Sequence, residues 1–327
     1  MTSPTVLLPG CPTAVPPLGV GTWAWGDRST WGMGGYDSTL TEATIAGAWE
    51  ASLESGLALF DTAEVYGGGE SERIIGRLLA KDPSRRGSIV LATKFMPSPQ
   101  KLAVKGAMRT ALERSIERLG VEHVDLYQIH GPISLRSKAA LAEALAEVRD
   151  AGLTSAVGVS NYSVGEMTKI HGELAKRDVP LASNQVEYSL LRRAPETNGL
   201  LEACGQLGVV LLAYSPIGQG RLTGKYSAAN PPPGKRGFSA HPMEEVDRVV
   251  AVLRRIGEQH DRTPSQVALR WLVEKGTVPI PGAKNAEQAR QNAGALTFAL
   301  SVEEMGELDR VALGGIRSLA NRFWQHG

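Results

Sequence analysis

Short, almost continuously apolar runs recur along this chain, separated by longer stretches whose apolar positions repeat every three or four residues. The runs LALF, SIVLATK, VDLYQIH, SAVGVS, LASNQV, VVLLAYS and TVPIPG follow one another between residues 57 and 282, and an earlier one covers 18–22. Strands apolar on both faces belong to parallel sheets, and helical stretches between them predict βα units. ESERIIGRLLA, VKGAMRTALERSIERLG and SKAALAEALAEVRDAG are such stretches, the last two closed by Gly120 and Gly152. A helix over 41–55 precedes them, with Thr41, Glu42 and Thr44 at its start and Gly56 at its end. Further helices are predicted at VGEMTKIHGELAKR, ETNGLLEACGQLG, near 244–259 and 264–275, and at NAEQARQNAGA. Eight strand–helix units predict an α/β chain folded as a (β/α)8 TIM barrel, with residues 1–327 as one domain. An open, doubly wound sheet is the rival arrangement.

Ahead of the first strand, two apolar segments split by Pro-Gly and Pro-Pro predict an N-terminal β-hairpin. Residues 227–243 are rich in Pro and Gly and predict a loop after the seventh strand, because strand–helix patterning resumes beyond it. IRSLANRFWQHG closes the sequence as a basic, aromatic C-terminal tail.

Composition narrows the function classes. Of the 327 residues, 42% are hydrophobic and 21% charged, as in globular proteins, and the net charge of +1 gives no electrostatic footprint for nucleic acid or an anionic membrane. Two cysteines, Cys11 and Cys204, cannot make a disulfide framework, which suits a reducing compartment. MTSPTVLLPG lacks the basic start of a signal peptide, and no apolar stretch approaches the roughly 18 residues of a membrane span. A cytoplasmic location is expected.

In a barrel of this kind the loops at the carboxyl ends of the strands build the active site. Those positions hold Thr22 and Trp23, Asp61 and Tyr66, Lys94, His130, Ser160 and Asn161, Gln185, Tyr214 and Ser215, and Gly282 and Lys284. Strand ends are often polar because they meet water, but titratable types cluster on strands 2 to 4. Tyrosine, with a reference pKa near 10, holds its proton at neutral pH and can give it to a developing alkoxide if a cation stabilises the phenolate. Lys94 can be that cation, Asp61 its counter-charge, and His130 a hydrogen-bonding group for the substrate oxygen. Proton donation to a carbonyl needs a matching hydride, which no side chain supplies, so a nicotinamide cofactor is implied.

With these residues in place, the chain resembles the aldo-keto reductases nearly end to end. The likeness is carried by GTWAWG, FDTAEVYGGGESE, ATK, DLYQIH, GVSNY, NQVEYSLL, AYSPIGQGRLTGKY and IPGAKNAEQARQN. It implies reduction of a small-molecule aldehyde or ketone with NADP(H), with Tyr66 as general acid and Lys94, Asp61 and His130 completing a tetrad. It implies that Tyr214 stacks on the nicotinamide while Ser160, Asn161 and Gln185 hold its carboxamide. Thr22 and Trp23 would adjoin the cofactor, and Ser215, Pro216, Ile217, Gly218, Gly220 and Lys225 would line the pyrophosphate. Gly282, Lys284, Gln288, Gln291 and Asn292 would take the adenosine 2′-phosphate and adenine. Many relatives carry arginine where Gln288 stands, so the preference for NADPH over NADH rests mainly on Lys284.

GTWAWGDRSTWG and the aromatic tail are similar to a branch that includes pyridoxal reductases. Trp23, Trp25, Trp31, Met33 and Tyr36 are expected to form an aromatic wall for a planar aldehyde, with Phe95 and Met96 closing it; the alternative is that these side chains pack the loop. Potassium-channel β subunits, regulatory proteins that sense a cofactor, share the resemblance but carry asparagine at position 130, so His130 argues for a working reductase. Gly19-Val20-Gly21-Thr22-Trp23-Ala24 fits a relaxed dinucleotide fingerprint, yet no helix is expected after it, so it reads as a barrel strand end. No H-E-x-x-H, cysteine cluster or paired histidine points to a metal.

Overall fold

The computed structural model describes residues 5–26, 40–97, 101, 103–233, 237–316 and 318–327. The predicted runs form eight parallel strands in sequence order: β1 (Gly19–Gly21), β2 (Leu59–Asp61), β3 (Val90–Phe95), β4 (Val124–Ile129), β5 (Thr154–Ser160), β6 (Leu181–Glu187), β7 (Val210–Tyr214) and β8 (Val278–Pro279). A parallel bridge between Gly21 and Gly282 joins the last strand to the first and closes the barrel. The glycines make this join possible, since a Cβ at Gly21 would lie 2.8 Å from the Ile280 carbonyl oxygen and one at Gly19 would lie 2.9 Å from the Ile280 side chain. The Gly-x-Gly of the dinucleotide-like motif therefore serves strand packing.

The helices are α1 (Trp23–Gly26), α2 (Glu42–Glu54), α3 (Glu70–Lys81), α4 (Val104–Leu119), α5 (Lys138–Asp150), α6 (Val164–Ala175), α7 (Ala194–Thr197), α8 (Leu200–Leu207), α9 (Met243–His260), α10 (Pro264–Glu274), α11 (Ala286–Ala293), α12 (Val302–Val311) and α13 (Leu319–Trp324). They surround the strands, and α11 packs on α2 to complete the ring. Their starts follow from side-chain chemistry. Reciprocal capping boxes open α2 (Thr41 with Thr44), α6 (Ser163 with Glu166), α10 (Thr263 with Gln266) and α12 (Ser301 with Glu304).

Strand alternation sorts side chains into two layers. Leu59, Val90, Ala92, Leu126 and Leu212 point into the barrel, where Leu8, Cys11 and Val15 join them. The Val6–Val15 antiparallel bridge is the predicted hairpin. It lies against the amino ends of the strands, with the Cys11 thiol on the Asp125 carbonyl and Gly10 against Ser155 and Ala156. That end is plugged with apolar side chains, and the carboxyl ends are left to carry polar ones.

Three expectations change. A single helical turn, α1, does open after β1, so the expectation of no helix there is wrong. The helix expected over 196–208 is split, because Gly199 sits at φ +79° between α7 and α8. The tail over 316–327 carries a short helix, α13, and ahead of it α12 forms behind an S-x-x-E box where no element is expected.

Candidate active site at the carboxyl ends of the strands

Asp61 ends β2 and Lys94 lies one residue before the end of β3, and the two meet inside the barrel as a buried ion pair, with side-chain exposures of 2% and 0%. Lys94 has three ammonium hydrogens and three partners: Asp61 Oδ1, the Thr62 carbonyl at 2.8 Å and the Tyr66 hydroxyl at 3.4 Å. The second oxygen of Asp61 accepts from Gln185 Nε2 at 2.8 Å and Gln128 Nε2 at 3.2 Å. A buried charge is tolerated when paired and hydrogen-bonded on all sides, as this one is.

Tyr66 stands in a turn that ends in three left-handed glycines. At Gly67, φ is +60° and a Cβ would lie 1.9 Å from the Gly26 carbonyl oxygen, so backbone meets backbone and the tyrosine's position is fixed. His130 follows β4, its N–H donating to the Phe95 carbonyl at 2.8 Å. Its ring meets that of Tyr66 edge-on at 5.5 Å, and the Trp324 ring meets it edge-on at 5.9 Å. Gly131 leaves the room for Trp324, since a Cβ there would lie 2.5 Å from the indole.

Burial, aided by Asp61, pushes the Tyr66 phenol well above its usual value, so it holds its proton at neutral pH. Burial also lowers Lys94, but Asp61 opposes this, and neutralising the lysine would strand the aspartate's charge. Burial and the Lys94 charge push His130 well below 6.5, so the ring is neutral at pH 7. Its Nδ1 is buried with no partner among the described residues. The four groups can therefore offer a proton, a cation to stabilise the base left behind, and a neutral hydrogen-bond donor.

A second cluster adjoins the first. The Ser160 hydroxyl donates to the Gln185 carbonyl, Asn161 Nδ2 donates to Ser160 Oγ, and the Tyr214 hydroxyl donates to Asn161 Oδ1 at 2.9 Å. Beyond Tyr214 the chain turns sharply: Ser215, Gly218, Gln219 and Gly220 all have positive φ, and Pro216 and Ile217 lie between them. Such folded backbone is suited to holding anions. Arg221 anchors the turn, donating to the carbonyls of Gly218, Phe238 and Ser239. Lys225 follows, exposed, with its ammonium 5.6 Å from the Tyr226 ring centre. Gly282 is exposed and Lys284 half-buried just before α11, whose start Asn285 caps. Gln288 accepts from the Lys284 N–H, Asn292 donates to the Gly282 carbonyl, and Gln291 donates to Glu287.

Two expected substrate residues are corrected. Phe95 neighbours inward-facing Lys94, so alternation turns it outward, where it is buried in the strand–helix core. Trp25 is likewise buried, its indole N–H donating to the Ala283 carbonyl at 2.7 Å, so it ties α1 to the β8 loop. Trp31, Met33 and Tyr36 lie outside the described residues. The Thr22 hydroxyl donates to the Asp61 carbonyl and ties β1 to β2, and Trp23 is half-buried in α1. Sequence reasoning missed Gln128, two residues before His130 on the same strand face, and also Glu187, Trp324 and Gln325. Among the described residues no group of three or more His, Cys, Asp or Glu is placed to hold a metal ion, and no helix is long and apolar enough to cross a membrane.

The fold and this rim define a (β/α)8 barrel of the oxidoreductase class, and sequence comparison carries the assignment further. The pattern described as the Aldo/keto reductase family matches residues 17–313, and the chain belongs to that family. It is 36% identical over 327 aligned residues to the chloroplastic pyridoxal reductase of Arabidopsis thaliana, covering 96% of this chain and 88% of that protein. The crystal structure of an aldo-keto reductase from Klebsiella pneumoniae in complex with NADPH has a TM-score of 0.74 at 27% identity, covering 97% of this chain and 98% of that one. The structure of a glycerol dehydrogenase from Gluconobacter oxydans has a TM-score of 0.81 at 26% identity, covering 98% and 99%.

Proposed function

We propose that this chain is an NADPH-dependent reductase that converts a planar aromatic aldehyde, pyridoxal being the best-supported example, to the alcohol with Tyr66 as proton donor. The observation that carries this reading is the Tyr66 hydroxyl within reach of an ammonium whose other two hydrogens are held by Asp61 and Thr62.

The residues fit NADP(H). Tyr214 offers a half-buried ring between Phe238 and the Asn161–Ser160 amide chain, a setting for a flat nicotinamide. The left-handed turn from Ser215 to Gly220 suits a pyrophosphate, and Lys284 beside the start of α11 suits a 2′-phosphate. When bound, NADPH supplies the hydride for the carbonyl carbon. Tyr66 gives its proton to the carbonyl oxygen, and Lys94 stabilises the phenolate that remains. His130, neutral and with its Nδ1 unpartnered among the described residues, donates a hydrogen bond to the same oxygen and orients it. Asp61, held by Gln128 and Gln185, keeps the ammonium in place.

The substrate reading rests on the aromatic corner of Tyr66, His130 and Trp324, and on the likeness to the Arabidopsis enzyme. A flat ring gains edge and face contacts in such a corner, worth about 0.5–1.5 kcal/mol per aromatic pair beyond buried area. Competition between pyridoxal and a straight-chain aldehyde with NADPH is expected to favour pyridoxal by about tenfold or more in kcat/KM. Equal values would remove the aromatic assignment.

A further inference from the structure

The segment 318–327 reaches back over the rim, and one of its side chains is built into the polar machinery. Gln325 is 1% exposed. Its Nε2 donates to Glu187 Oε2 at 2.5 Å and to the Tyr214 hydroxyl at 2.9 Å. Glu187 ends β6 beneath the rim, 2% exposed, and its other oxygen accepts from the Ser239 hydroxyl at 2.5 Å. The Arg192 guanidinium lies 3.8 Å from this carboxylate. The neighbouring His326 N–H donates to the carbonyl of Asn161, a residue with φ +62°.

These bonds have a direction. Glu187 accepts from both Ser239 and Gln325 with the Arg192 guanidinium beside it, so the amide nitrogen of Gln325, and not its oxygen, faces the carboxylate. That nitrogen then also faces Tyr214 and donates to its oxygen. The Tyr214 hydrogen must go elsewhere, and it goes to Asn161 Oδ1. The amide of Asn161 is thereby turned with its nitrogen on Ser160 Oγ, and the Ser160 hydrogen goes to the Gln185 carbonyl. A buried acid at one end thus sets the sense of every hydrogen bond to the far end.

We propose that Gln325 is a positioning residue for the nicotinamide half of the cofactor: it relays the polarity of Glu187 through Tyr214 and so fixes which face of the Asn161 amide meets the carboxamide. This rests on the reading above that Tyr214 and Asn161 serve the nicotinamide. The cradle for the phosphates, built from Ser215 to Gly220 and from Lys284, is tied to the other oxygen of Glu187 through Arg221 and Ser239, a link made without Gln325. Loss of the relay therefore weakens one half of the cofactor's binding and leaves the other intact.

The test compares NADPH with 2′,5′-ADP, which lacks the nicotinamide, by titration against the full chain. Gln325→Leu keeps the volume and removes the donor. Its Kd for NADPH is expected to rise about tenfold, the equivalent of one net hydrogen bond, with the Kd for 2′,5′-ADP unchanged. Tyr214→Phe cuts the relay one link further on without touching Glu187, and carries the test if the leucine variant does not fold; the same selective loss is expected. The double exchange Glu187→Gln with Gln325→Glu preserves charge and size but reverses the sense of the chain, and is expected not to restore NADPH affinity. Unchanged NADPH binding in Gln325→Leu, full recovery in the exchange, or parallel loss of both ligands would overturn the relay. Wild-type protein that binds 2′,5′-ADP and NADPH normally leaves the cofactor reading standing in each of those cases; wild-type protein that binds neither would overturn both.

Discussion

Replacing Tyr66 by Phe is expected to lower kcat for carbonyl reduction by about 10²- to 10⁴-fold, the usual contribution of a positioned general acid, with NADPH binding retained. The structure explains why the loss would be chemical and not structural. The Tyr66 hydroxyl accepts one bond, from Lys94 at 3.4 Å, and Lys94 keeps Asp61 and Thr62 without it. The ring still meets His130 edge-on, and the Gly67–Gly26 backbone contact that fixes the turn does not involve the phenol. Steady-state kinetics beside a thermal melt checks this. A variant with wild-type turnover would remove Tyr66 as the proton donor.

Lys94→Met is expected to remove turnover and also to destabilise the fold by about 3–5 kcal/mol, because Asp61 would be left as an unpaired charge inside the barrel. The two effects are separable. Adding Asp61→Asn to the methionine variant removes the stranded charge, so most of the stability returns on denaturant unfolding while activity does not. Recovery of both together would show that Lys94 acts only as a structural ion-pair partner. A loss of stability below about 1 kcal/mol in the single variant would show that the pair is solvated like a surface salt bridge.

The barrel is legible because most of the strands are short apolar runs and several of the helices between them open on capping boxes or close on glycine. The four residues of the first cluster were legible for a related reason: a titratable side chain at the end of an apolar run has few roles in packing. The same logic applies one residue beyond Lys94. Phe95 follows Lys94 and must face the opposite side of β3, and the period of two would have excluded it from the pocket. Trp25 sits in a tryptophan-rich stretch that looks like a binding wall, but its indole nitrogen has a backbone partner in the β8 loop, a long-range contact that no local pattern encodes. Gln128 could have been found, since it lies two residues before His130 and so shares its face. Glu187 and Gln325 could not, because their meaning depends on the chain folding back over a separation of 138 positions to bring them together.

The most direct test of the central claim is to supply NADPH carrying deuterium at the transferable position together with pyridoxal, and to look for the label in the alcohol product. Deuterium on the new carbinol carbon, formed in step with NADPH consumption by wild type and nearly absent with Tyr66→Phe, is the result expected. NADPH bound but not consumed, with no labelled alcohol from pyridoxal or from any aldehyde or ketone tried, would contradict the account of this barrel as a carbonyl reductase.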